Sequence, residues 1–407
     1  MFWEKKLEKW VGNVRERYAL PLRLLLWNGR QFDFSNLAPQ VTVHVPRASA
    51  LPSVWSPSLF SLGKAYVEGE IDIDGRPSDI IRIGGMLAES APREKRGFAR
   101  LVSHVRHTRK VDAAAIQYHY DVSNDFYQLW LDEQMVYSCA YFENGDEDLA
   151  TAQRKKIDHI LTKLQVRPGQ TLLDIGCGWG ALVIRAAQHF GARCVGITLS
   201  KNQYQLARER VAAAGLSDRI DIRLEDYRDV RGTYDRITSV GMFEHVGLKN
   251  LPLYFERIRS LLTDDGIAMN HGIISTDIDG RNSTRGGSEF IGKYVFPHGQ
   301  LPQLGVVLNL MQSQGLEVID VENLRRHYAK TCSIWADNFD GQSHNIRTQV
   351  DDKVFRIWRV YLAGCAYGFT QGWISLYQIV CTKANGDVAA LPWSRRYMYA
   401  KDSLKNK

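Results

Sequence analysis

The stretch LLDIGCGWG, residues 172–180, carries the most legible chemistry of the chain. Apolar residues run into a carboxylate, Asp174, and then into Gly176, Gly178 and Gly180. The pattern reads as a strand entering a ligand turn that opens a helix, with glycine letting a ligand approach the backbone. Gly176, Gly178 and Ala181 satisfy the loose G-x-G-x-x-G/A dinucleotide pattern, which alone is a weak signal. No GK[ST] follows, so this is not a Walker phosphate loop. The acid expected about 20 residues on to hold a nicotinamide ribose is missing, because the next strand ends in GITLS. Asp174 would repel a pyrophosphate and suits an ammonium. S-adenosylmethionine has such an ammonium, a sulfonium and no phosphate. A purely structural turn is the plain alternative.

Several elements must position this turn. TLLDIG, RCVGITL, RIDIRL, YDRITSV, GIAMNHGI, LEVIDVENL and ISLYQIVCTK read as seven strands. ALVIRAAQHFG and KNQYQLARERVAAAG read as helices between them, the second ending at Gly215. The alternation implies an α/β fold with a doubly wound, mostly parallel, Rossmann-like sheet of seven strands, a sheet type whose methyltransferases frequently carry an acid-containing GxGxG turn. Residues 277–304 look like a loop insertion, and residues 331–369 like a helical, aromatic-rich one. Residues 1–110 read as a small N-terminal α+β domain and linker, and 111–407 as the catalytic domain.

All of the formal net charge of +7 lies in the N-terminal part: residues 1–110 hold 18 Lys and Arg against 11 Asp and Glu, the rest 34 against 34. Trp3, Leu7, Trp10 and Val14 recur at helical spacing, with Lys5, Lys6, Lys9 and Arg15 around them. This is either a helix packed on its own domain or one lying on an anionic membrane surface. Residues 92–110 carry seven cationic side chains and one acid, and read as a basic amphipathic segment or a solvated linker. VTVHV alternates like a strand. The start MFWEKKLEKW is too charged for an export signal, and no window approaches a membrane span. The six cysteines form no CxxC pair, so no metal site is expected; they read as reduced thiols of a cytosolic protein.

Further motifs narrow the reading. YHYDVSNDFYQLWLDEQMVYSCAYF (118–142), LDIGCGWG, GITLSKNQ, LEDYRD, MFEHVG, HGI, HYAKT and YLAGCAYGF occur in this order. Together they resemble the cyclopropane-fatty-acyl-phospholipid synthase family, which includes the mycolic acid cyclopropane synthases. SLGKAYVEGEIDIDG (61–75) also resembles the N-terminal domain of the bacterial phospholipid enzymes. The resemblance implies that Tyr137, Ser138, Asp174, Gly176, Gly178, Thr198, Leu199 and Gln203 contact S-adenosylmethionine. Ser200 and Gln203 also read as a capping box, and the two roles are compatible. Glu225, Asp226 and Tyr227 follow the third strand, where such sheets bind adenine; the alternative is an exposed loop.

An isolated cis double bond is a poor nucleophile. Methyl transfer to it leaves a carbocation, and a base must take a proton from the new methyl before a ring can close. The site must exclude water, which would trap the cation. The family's base is understood to be bicarbonate, and the matching positions are Cys139, Glu244, His271, Tyr328 and the backbone of Ile273, with Cys365 as a pocket wall. Glu244 would orient His271 or Tyr328 and accept the bicarbonate proton. The plain alternatives are an acid at a helix start for Glu244 and a core histidine for His271. Cys139 reads as a weak hydrogen-bond contact rather than a nucleophile, which would need an adjacent base or a depressed pKa.

The resulting expectation is methylene transfer from S-adenosylmethionine to an unsaturated phospholipid acyl chain, by a cytosolic enzyme held peripherally on the inner membrane face. The basic N-terminal part would meet the phospholipid bilayer surface; no nucleic acid is expected, and a homodimer stays open. Three rivals remain: a methyl branch instead of a ring, an RNA methyltransferase, and a non-enzymatic lipid-binding protein with a vestigial turn.

Overall fold

The computed structural model describes residues 2–55, 57–90, 122–277, 286–296, 299–387 and 391–399. The basic segment 92–110 and the start of the 118–142 motif lie outside the described residues. The chain divides into two units. The first takes the described residues within Met1–Val105, Asp279–Pro297 and Cys332–Gln371; the second takes the remainder.

In the first unit, β1 (Leu22–Leu26), β2 (Gln31–Asp33), β3 (Val41–Val45) and β4 (Asp72–Asp74) form a sheet in the order β2-β1-β3-β4. The alternation in VTVHV buries Val41, Val43 and Val45. The helix Phe2–Arg17 sinks Leu7, Val11 and Val14 into the same core, with Trp3 and Trp10 packed against it. Its apolar stripe is therefore used within its own unit, and Lys5, Lys6 and Lys9 stay exposed. Stretch 61–75 supplies most of the helix Leu59–Val67, capped by the reciprocal Ser58–Ser61 pair, and β4. Helix Asp352–Thr370, part of the aromatic-rich insertion, groups with this unit: Arg359 donates to the Gly75 carbonyl at 2.9 Å and pairs with Asp340 at 2.7 Å. A second helix, Gly287–Tyr294, lies where a loop insertion was expected; its Tyr294 hydroxyl donates to Glu68 at 2.8 Å.

In the second unit the seven expected strands form one sheet. They are β5 (Thr171–Ile175), β6 (Arg193–Thr198), β7 (Ile220–Leu224), β8 (Tyr234–Val240), β9 (Leu262–Ser275), β10 (Leu316–Asn323) and β11 (Ile374–Lys383). The order is β10-β11-β9-β8-β5-β6-β7, with only β11 antiparallel to its neighbours. The chain runs outward from β5 through β6 to β7, then returns to β8 on the other side. That reversal opens a crevice at the carboxyl ends of β5 and β8. Helix Ala181–Phe190 packs Leu182, Val183, Ala186, Ala187 and Phe190 on the sheet, the i, i+4 spacing of a one-sided helix.

Candidate active site

A cleft of about 1010 Å³, part of it open to solvent, lies at this crevice. The turn after β5 forms its floor. Gly176, Gly178 and Gly180 all have positive φ, and at Gly178 a side chain would meet nothing within 4 Å. Glycine is needed there for the backbone conformation, and the open space is left for a ligand. Asp174 is buried beside the cleft and accepts a hydrogen bond from the Thr238 hydroxyl at 2.7 Å. Burial pushes its carboxyl up to about 6, against the help of Thr238 and the Lys156 charge.

Tyr137, Ser138, Asp174, Gly176, Gly178, Thr198, Leu199, Gln203, Glu225 and Tyr227 all line this cleft. Gln153 fixes the 136–138 segment by donating to the carbonyls of Val136 and Ser138. Thr198 donates to Gln203 Oε1 at 2.8 Å, and Ser200 caps its helix by accepting from the Gln203 N–H. Only half of the expected capping box forms. The Gln203 side chain meets Thr198, and the Ser200 N–H takes the Thr198 hydroxyl instead. Asp226 is not among the lining residues. Its carboxylate accepts from the Arg228 backbone and pairs with the Arg228 guanidinium at 2.6 Å, so it shapes the loop. Lys156, Trp179, Met242 and His245 line the cleft although they were not singled out from sequence.

The expected base site lies along β8 and β9. Glu244 sits in a 3-10 turn just past β8, 7% exposed, with Oε1 accepting from the Ile273 N–H at 2.6 Å. The backbone donor expected at Ile273 is therefore spent on holding Glu244 and is not free for an anion. Glu244 Oε2 is buried without a partner among the described residues. Burial pushes this carboxyl up to about 7. His271 lies inside β9, level with the last residue of β8. No hydrogen bond joins it to Glu244; Gln378, opposite it on β11, holds its Nδ1 at 3.3 Å. With the Gln378 amide donating, Nδ1 accepts and Nε2 carries the proton. Burial, with Lys156 and Lys163 nearby, holds the ring neutral, and Nε2 has no partner. Between His271 and Ile273, Gly272 leaves room for the Phe243 ring, which a methyl there would overlap.

The remaining candidates spread further. Burial pushes the Cys139 thiol far up, with the carbonyls of Ala140 at 3.2 Å and Leu324 at 3.9 Å as its acceptors. A thiolate nucleophile is thereby disfavoured. Tyr328 is half-buried in the first turn of helix Arg325–Gly341, one turn past that Leu324 carbonyl. Cys365 is on helix Asp352–Thr370 of the first unit, its thiol pushed up to about 12 by burial. No group of acidic, Cys and His residues fit to hold a metal occurs among the described residues.

The cleft is lined by an acid, a cation and a glycine turn, a set that suits an amino-acid-bearing nucleoside. His271 and Glu244 are not among its lining residues; they supply a buried N–H donor and a buried carboxylate oxygen without partners among the described residues, groups of the kind that a hydrogen carbonate needs. Comparison with known proteins adds the following. The family model described as mycolic acid cyclopropane synthetase matches residues 107–379, and a model described only as a domain of unknown function matches residues 11–96. A "Probable fatty acid methyltransferase" of Pseudomonas putida is 47% identical over 93% of this chain and 96% of its own length. The "Tuberculostearic acid methyltransferase UfaA1" of Mycobacterium tuberculosis is 36% identical over 88% of this chain and 87% of its own. The crystal structure of mycolic acid cyclopropane synthase CmaA1 complexed with SAH and CTAB superposes with a TM-score of 0.64 at 35% identity, covering 67% of this chain and 98% of that one.

Proposed function

The chain belongs to the mycolic acid cyclopropane synthetase family of S-adenosylmethionine-dependent methyltransferases, and on that premise we propose that it cyclopropanates unsaturated phospholipid acyl chains. S-adenosylmethionine supplies an electrophilic methyl, and bicarbonate supplies a small base. The glycine turn and Asp174 would hold the first, since both line the cleft. Attack by the cis double bond on the methyl carbon would break its bond to sulfur, release S-adenosylhomocysteine and leave a cation on the acyl chain. His271 Nε2 would hold such an anion by donating to it and Glu244 Oε2 by accepting from its hydroxyl, leaving it as the base for a proton of the new methyl. The single observation carrying this reading is that these two buried atoms, a donor and an acceptor, have no partner among the described residues.

A methyl-branched product is the second reading. Two relatives that span both parts of the chain are named a probable fatty acid methyltransferase and a tuberculostearic acid methyltransferase, whereas "Cyclopropane mycolic acid synthase 1" of Mycobacterium tuberculosis covers 66% of it. A bilayer is the natural source of the substrate. Seven of the 18 cationic residues in 1–110 fall within 92–110, against one acid, and no described helix is long and apolar enough to cross a membrane. Docking through helix Phe2–Arg17 would be electrostatic, since its apolar face is occupied. The test is incubation with methyl-labelled S-adenosylmethionine and vesicles of unsaturated phospholipid, with free fatty acid and RNA as competing acceptors. Ring methylene protons in the NMR spectrum of labelled lipid support the first reading. A methyl branch or exomethylene supports the second, and unlabelled lipid refutes both.

A further inference from the structure

Lys156 is a cation in an unusual place. It sits on helix Leu149–Lys163, 2% exposed, and lines the same cleft as Asp174. Its ammonium has three donors, and the described residues supply one acceptor, the Ser138 hydroxyl at 2.7 Å. No described carboxylate pairs with it. Asp132 and Asp174 act on it only at longer range, and Asp132 is engaged by the N–H groups of Gln134 and Val136. Burial lowers the ammonium to about 8, which leaves it mostly charged near neutrality. A buried, incompletely bonded cation is costly unless something completes it.

Among the described residues, the cleft therefore presents a cation with no ion-pair partner and a buried acid, with no hydrogen bond or ion pair between the two. An α-amino acid carries the matching pair of opposite charges on a single carbon. Given Asp174 as the partner of the ammonium, we infer that Lys156, with Ser138, binds the α-carboxylate of the methionine moiety of S-adenosylmethionine. Lys156 thus sets how far the amino-acid end reaches into the cleft, and with it where the sulfonium methyl lies. This rests on the cofactor assignment made above.

A double-mutant cycle between the protein and its ligand isolates the contact. Affinities of the whole chain for S-adenosylmethionine and its decarboxylated analogue are measured by calorimetry, for wild type, Lys156→Met and Lys156→Arg. Wild type should prefer the carboxylate-bearing ligand. Lys156→Met should lose roughly ten- to a hundredfold in affinity for it while changing little for the analogue. Lys156→Arg, which keeps the charge, should restore most of the preference. Equal losses for both ligands in Lys156→Met would reduce Lys156 to a structural prop for Ser138 and overturn the inference. So would an Arg variant that folds but discriminates no better than the Met variant. A wild type that binds neither ligand would overturn the cofactor assignment itself.

Discussion

Replacing Glu244 by Gln should remove most of the turnover while relieving an alkaline stability penalty. The carboxyl is buried, one oxygen is held by the Ile273 N–H and the other is unpartnered, and its pKa is raised from 4.5 to about 7. Between those two values the unfolded chain has released the proton while the folded protein still holds it. The group's contribution to stability is therefore full below about 4.5 and is lost as pH rises through about 7, a total of about 3 kcal/mol. From pH 5 to pH 8 the wild type should lose about 2.5 kcal/mol from this source alone. Gln keeps an acceptor for Ile273 but leaves an amide N–H₂ group unbonded, a cost of roughly 1–3 kcal/mol that does not vary with pH. The variant should thus be less stable than wild type at pH 5 and close to it, or above it, at pH 8. The assay is guanidinium unfolding of both proteins at the two pH values in bicarbonate-free buffer, with turnover in parallel. Turnover should fall roughly 10²- to 10⁴-fold with cofactor affinity retained. Parallel pH profiles of stability would mean that this carboxyl titrates normally, and unchanged turnover would remove it from the proton path.

Other perturbations address neighbouring groups. Wild-type turnover should rise with pH through about 7 as Glu244 ionises, and this limb should vanish in Glu244→Gln; a limb persisting in the variant assigns it elsewhere. Degassing to remove bicarbonate should slow the wild type, and adding it back should restore the rate; indifference would exclude the small-anion base. Gln378→Leu frees the His271 tautomer and should lower turnover roughly tenfold with unchanged affinity for S-adenosylhomocysteine, and ¹⁵N NMR of labelled His271 should show a mixed tautomer. Replacing Lys5, Lys6 and Lys9 by Gln should weaken binding to anionic vesicles severalfold at low salt, less at high salt, and spare turnover on detergent-dispersed lipid. Identical vesicle binding would take helix Phe2–Arg17 out of docking.

Much of the site is local, and local features can be read along the chain. The turn at Asp174–Gly178 is a matter of φ and of a strand running into a helix, so nine adjacent residues specify it. The seven strands follow from the apolar period, and the general preference for right-handed crossovers leaves few ways to order them. Glu244 and His271 stood out because each lies in a short motif just beyond or within a strand. What the residues could not announce depends on who lies opposite. Gln378 meets His271 only through the antiparallel register of β9 and β11, across 107 residues. The Ile273 N–H goes to Glu244 rather than to a ligand because the 3-10 turn folds back over β9. Asp226 turns to Arg228 two residues away, and Lys156, one of many lysines on a helix, becomes singular only by being buried beside Asp174. Period and turn chemistry act over a few residues and are written in them. Pairing, burial and the fate of each hydrogen bond are settled by topology, which brings distant residues to one sheet edge and there removes the water.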